Sequence, residues 1–162
     1  MRFMSRFVVV GFVVVALSAG IVGAQSGVER IVAEASIADL QRMMADGTIT
    51  SESMTAAFIG RIGRLDGELR SVLVVNPEAL AQARELDAER RDGRVRGPLH
   101  GIPVLLKDNI ESADPMATTA GSLALAGNVT GRDAGLVSRL REAGAVILGK
   151  TNLSEWANFR SE

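Results

Sequence analysis

The residue in this sequence with the widest chemical scope is a lysine at the end of an apolar run. Lys107 follows Ile102-Pro103-Val104-Leu105-Leu106, and it is one of only two lysines in a chain that otherwise takes its positive charge from arginine. A short apolar run of this kind reads as a buried strand. A lysine delivered by such a strand is partly desolvated, which disfavours its charged form and brings it closer to use as a base. Position alone also allows the plainer alternative, a strand-end lysine reaching for water. Asp108 falls on the opposite face if the strand continues, so it need not pair with Lys107 and recharge it.

Other common chemistries lack their residues. The chain has no cysteine, which removes disulfides, thiolate catalysis and cysteine metal sites. His100 is the only histidine, so a histidine metal cluster is not available. It sits in a Pro98-Leu99-His100-Gly101 turn with no obvious acid to orient it, and is read as structural. Neither a Gly-x-Ser-x-Gly elbow, a Walker loop nor a Gly-x-Gly-x-x-Gly run occurs. What remains for acyl transfer without histidine is a serine–lysine arrangement, with Lys107 as the base. No cofactor and no metal is expected.

These groups need elements to hold them. Ser36-Ile37-Ala38-Asp39 is a capping-box pattern that starts a helix through Leu40, Met43 and Met44, ended by Gly47. A second helix starts near Thr50, with Met54, Ala57, Phe58, Ile62 and Leu65 on one face. Ser71 to Val75 reads as a strand, and Asn76-Pro77 as the cap and first turn of a helix to about Arg91. Leu80, Ala83, Leu86 and Asp87 mark its inner side. Arg90, Arg91, Arg94 and Arg96 cluster, but Glu89 and Asp92 interrupt them, so they form a solvated face rather than a phosphate site. The strand to Lys107 follows, then a loop from Glu111 to Ser122. Asp133 is placed to cap a helix carrying Leu136, Val137 and Leu140 inward, with Gly144 as its exit. Ala145 to Leu148 is another buried strand, and Asn152 or Ser154 begins a turn containing Trp156. The order is α/β, most simply a sheet covered by helices.

The N-terminus has its own pattern. Arg2 and Arg6 precede an apolar core from Phe7 to Leu17, and Val22-Gly23-Ala24 offers small residues before Gln25. This predicts a secretory signal over 1–24, leaving 25–162 as the mature chain and an exported protein, periplasmic or extracellular. An uncleaved N-terminal membrane anchor is the alternative, since the apolar stretch approaches the length of a span. The separated arginines and absent cysteine argue against twin-arginine export and lipid anchoring. The whole chain carries 18 basic and 19 acidic residues, and loss of Arg2 and Arg6 leaves 16 against 19, a net charge of −3. Mild acidity gives no reason to expect nucleic acid or an anionic membrane as partner. Without disulfides, an exported chain depends on its hydrophobic core.

Three stretches, in order, carry a resemblance. Gly97-Pro98-Leu99-His100-Gly101-Ile102-Pro103 running into Leu105-Leu106-Lys107-Asp108-Asn109 is the first. Thr118-Thr119-Ala120-Gly121-Ser122 is the second, and Ala143-Gly144-Ala145-Val146-Ile147-Leu148-Gly149-Lys150-Thr151-Asn152-Leu153-Ser154-Glu155-Trp156 the third. Together they resemble the amidase signature family from about Ile37 onward. The resemblance implies an α/β fold with a mixed β-sheet covered by α-helices, and hydrolysis of a carboxylic amide by a Ser–cis-Ser–Lys triad. Lys107 matches the family lysine. It also implies that 25–162 is the N-terminal part of the amidase domain. The two serines and the oxyanion donors belong to a Gly- and Ser-rich segment that lies downstream in the family, and no Gly-Gly-Ser-Ser-Gly-like run occurs here. Ser122 belongs to a different family motif and is not assigned as nucleophile. Asn152 to Ser161 is similar to the bacterial peptide amidase branch, which implies a small-molecule or peptide amide substrate. Trp156 is then either a pocket residue or a core aromatic. Two other readings stay open, a component of the amidotransferase that makes amidated aminoacyl-tRNA and a non-catalytic secreted remnant or interaction module.

Overall fold

The computed structural model describes residues 27–154, and the expected signal (1–24) and Trp156 lie outside them. After a helical turn over 27–32, the elements run α1 (Ile37–Ala45), α2 (Ser51–Leu69), β1 (Val72–Val75), α3 (Ala79–Arg91), β2 (Pro103–Lys107), a 3-10 turn (Leu123–Leu125), α4 (Gly135–Glu142) and β3 (Val146–Thr151). The sheet order is β1-β3-β2, with β3 parallel to β2 and antiparallel to β1. The sheet is therefore mixed, as expected, and β3 is its centre.

Local chemistry explains the helix starts. Ser36 Oγ accepts from Asp39 N–H and Asp39 returns a bond to Ser36 N–H, a complete capping box. Thr50 and Ser53 do the same for α2. An acid also assists α2 from outside, because the buried Asp87 carboxylate accepts from Ser51 N–H at 2.8 Å and Glu52 N–H at 3.0 Å. It thereby meets the positive end of the helix and joins α3 to α2.

Alternation along β3 divides the core. Val146 and Leu148 pack with Ala79, Ala83 and Leu86 of α3 and with Phe58, Ile59 and Ile62 of α2. Ile147, between them, packs on the other side with Leu106, Met116 and Val137. A third cluster joins α1 and the start of α2, where Leu40, Met44, Ile49, Met54 and Ala57 surround Ile102.

Four expectations need correction. The helix after β1 begins at Ala79 rather than Pro77, with Asn76 Oδ1 accepting from Glu78 N–H just ahead of it. Asn76 is drawn elsewhere, its amide donating to Ile147 O and Asp114. Asp133 does not cap α4, whose cap position is Ala134 with no side-chain bond, because its carboxylate is taken by Ala113 N–H and Arg141. Leu136 and Leu65 are not inward. Leu136 is 48% exposed and Leu65 41%, the latter lining an open groove with Phe58, Ile62, Leu105 and Leu148. The last strand also runs on through Gly149 and Lys150 to Thr151.

Candidate active site

The three motifs converge at the ends of β2 and β3. Their shared entrance is built around His100, which is fully buried, its Nε2 2.9 Å from Leu86 O and its Nδ1 accepting from Arg96 N–H. With Nδ1 accepting, the ring proton is assigned to Nε2, donating to Leu86 O. His100 is thus structural. Gly144 lies against this ring at φ +82°, where a Cβ would stand 2.8 Å from Nδ1 and 2.9 Å from Cα. Only glycine fits that approach. Gly101 N–H donates to Gly144 O and Val146 N–H to Ile102 O, so the two strands leave the turn in step.

They end in step as well. Leu106 is opposite Lys150 and Lys107 opposite Thr151. Lys107 is exposed, whereas Leu106 before it and Asp108 after it are buried. The chain therefore turns Lys107 outward between two inward residues. The desolvation anticipated from the apolar run is not supplied by the described residues. The backbone beside the lysine is nonetheless closely held: Ile110 N–H donates to Lys107 O at 2.9 Å and Asp108 N–H to Thr151 O at 3.2 Å.

Asp108 is where the first motif meets the second. It is 1% exposed, its Oδ2 accepts from Thr119 N–H and from the Thr119 hydroxyl, and its carbonyl accepts from Ala120 N–H. Its other carboxylate oxygen has no partner among the described residues. Ala120 has φ +49° and Gly121 φ +75°, a left-handed pair that bends the motif back over Asp108. For alanine that conformation is strained by about 1 kcal/mol.

Lys150 joins the second motif to the third, and sequence reasoning passed it over. Its side chain is completely buried, with Nζ donating to Ile110 O and to Thr118 Oγ1, the latter at 3.0 Å. Burial pushes the ammonium below the ordinary lysine value, and the charges of Asp108, Asp114 and Glu111 act against that shift. The available signal was the one applied to Lys107, a lysine closely following an apolar run, but in Ala145 to Leu148 it belongs to a central strand.

The rest of the loop is fastened by polar side chains. Asn128 receives Thr118 N–H at its carbonyl and donates its amide to Thr118 O. Glu111 pairs with Arg132 through two bonds of 2.8 and 2.9 Å. Asp114 is buried and accepts from Asn76, Gln82 and Arg141. Arg96, from the basic cluster, pairs with Glu89, and Arg94 with Asp92, so these charges are internally matched. Arg90 does more, donating to Gln41 Oε1 and His100 O.

Lys107, the anchored Asp108 carboxylate and the strapped loop gather at the carboxyl ends of the parallel strands β2 and β3, the end at which open α/β sheets bind their ligands. The profile of the Amidase family matches residues 53–162. The chain belongs to that family. Its structure is similar to that of the native peptide amidase of Stenotrophomonas maltophilia, with 62% identity, a TM-score of 0.76, and 79% of this chain on 26% of that one. An amidase family protein of Bacillus anthracis gives 40% identity and a TM-score of 0.81, over 86% of this chain and 28% of that one. Among curated relatives, a glutamyl-tRNA(Gln) amidotransferase chain of Thermobifida fusca is 45% identical over 123 residues, 75% of this chain and 24% of its own length. The chain spans about a quarter of the length of the relatives it matches.

Proposed function

We propose that the full-length protein carrying these residues hydrolyses a carboxylic amide, with Lys107 as the base of a Ser–cis-Ser–Lys relay. Residues 25–162 are then the N-terminal part of its amidase domain. The observation that carries this is the fixed, outward placement of Lys107 at the end of β2, within a chain of the amidase family. In the relay a neutral Lys107 takes a proton from a bridging serine as that serine takes one from the nucleophile. The nucleophilic oxygen bonds to the amide carbon, the proton returns to the leaving nitrogen, the C–N bond breaks, and water hydrolyses the acyl-enzyme. Both serines are assigned to the family's Gly/Ser-rich segment, outside residues 1–162.

The proposed substrate is a peptide or small-molecule amide, on the strength of 62% identity to the peptide amidase. Amidation of aminoacyl-tRNA is the second reading, favoured by similarity to the glutamyl-tRNA(Gln) amidotransferase. The pattern of residues 1–24 supports export by a cleaved signal, which separates the protein from cytoplasmic tRNA and favours the first.

The test uses the full-length gene product and a C-terminally amidated dipeptide, following ammonia release. Lys107→Ala is expected to lower turnover by about a thousandfold or more with the fold retained. Unchanged turnover would remove Lys107 from the mechanism.

A further inference from the structure

A cation with no path to water is costly to keep, and replacing a buried charged group by an apolar one of the same shape is often neutral or better for stability. Lys150 occupies such a position, and what sets it apart from an apolar residue there is the pair of bonds its ammonium donates. Its Nζ bonds two points of one loop, Ile110 O on the outgoing arm and Thr118 Oγ1 on the returning arm. Each point lies next to a bond that holds the strand end. Ile110 N–H holds Lys107 O, and Thr119, next to Thr118, holds the Asp108 carboxylate through its N–H and hydroxyl. Asp108 joins the arms at their base through Thr119, and Lys150 joins them one step further on, whereas Asn128 fastens only the returning arm and Asp133 holds Ala113 N–H.

We propose that Lys150 is a positioning residue for Lys107, clasping Ile110 to Thr118 so that the loop after β2 fixes the strand end from which Lys107 projects. This rests on Lys107 acting as the base. Lys150 touches no reacting atom. Its effect is on where the Lys107 amine sits, and a displacement of about 1 Å at a base costs on the order of a hundredfold in rate.

Two substitutions separate positioning from stability. Lys150→Met fills a similar volume without donors, and Thr118→Val removes one acceptor while leaving Lys150 in place. Both are made in the full-length protein, with Lys107→Ala as reference. Thermal midpoint, folded fraction, and kcat and KM on a peptide amide are measured for each. Thr118→Val is expected to lower kcat per folded molecule by about tenfold with KM nearly unchanged, and Lys150→Met by more. Thr118→Ser, which keeps the hydroxyl, is expected to restore kcat. A structural role alone would lower the midpoint and the folded fraction but leave kcat per folded molecule at the parent value. That result for Thr118→Val, with Lys107→Ala inactive, overturns the positioning role and leaves the base assignment standing. An active Lys107→Ala removes both. If Lys150→Met does not fold, the Thr118 pair decides the question.

Discussion

Two lysines end neighbouring strands one register step apart, and the sheet treats them oppositely. Among the described residues Lys107 closes β2, at one edge of the sheet, and is exposed; Lys150 lies in β3, the central strand, and is entirely buried. Both follow apolar runs. The difference lies in which way each side chain faces: Lys107 turns outward between the buried Leu106 and Asp108, while Lys150, opposite Leu106, turns inward under the loop after β2. Burial of a lysine is thus decided by which way its position faces and what packs over that face, and the hydrophobicity of the preceding residues says little about it. One side chain is open to solvent, and the other is bonded to both arms of the loop.

The sharpest way to break the comparison is to truncate both lysines. Lys150→Ala leaves a cavity and two buried acceptors without a donor, and is expected to cost about 3–5 kcal/mol in urea unfolding. Equal losses for the two truncations would show that the contrast is false.

A somewhat smaller effect is expected at the entrance the two strands share. Gly144→Ala adds a Cβ that meets His100 and forces alanine to φ +82°, for an expected loss of about 2–4 kcal/mol. Because it disturbs the frame behind both lysines, its thermal midpoint should fall without exposing one lysine selectively, which limited proteolysis with a lysine-specific protease reads.

Acid should loosen the loop before it reaches the strands. The hydrogen bonds from Arg132 hold Glu111 below the ordinary carboxylate range. Burial works to raise Asp133, but its bonds from Arg141 and Ala113 N–H outweigh that and leave it lowered. Both folded values lie under the unfolded ones, so the stabilisation is complete above about pH 4.5 and is lost as pH falls through the folded values. Asp133→Asn is expected to cost about 1 kcal/mol at neutral pH and to flatten the acid limb of the midpoint–pH curve. An unaltered acid limb would show that Asp133 does not carry it.

The smallest effect is expected at Lys107 itself. Truncation of an exposed side chain should change unfolding free energy by no more than about 0.5 kcal/mol, even where turnover is abolished. A large loss of stability would mean that the lysine is buried and structural.

Elements were legible where local chemistry decided them. Ser36 with Asp39, the apolar face of Met54 and Ala57, and the run to Lys107 each carry their signal within a few residues. His100 as a structural histidine was also legible, from the turn around it and the lack of an acid. The misses share a cause. Asp133 looks like a cap, and Asn76 like another, until Arg141, Ala113, Ile147 and Asp114 compete for their side chains across long sequence separations. Local pattern cannot rank a partner that is remote in the chain. Lys150 is the same case on a larger scale, its two acceptors lying 40 and 32 residues away. The three motifs could be recognised one by one, but their meeting at Asp108 and Lys150 is a property of the sheet.

The long separation between Lys150 and its acceptors also sets an order in time. Helices α1 and α2 close over neighbours in sequence, so they can form early; the loop after β2 can make its Asp108–Thr119 link by itself, but the Lys150 clasp waits until β3 has been made and docked. In a chain leaving the ribosome, Lys107 therefore emerges well before that clasp can form, and the amides of Ile110 and Ala120 acquire protection together with the central strand. Amide exchange would see the site as one cooperative unit with β3, opening and closing apart from the helices that precede it.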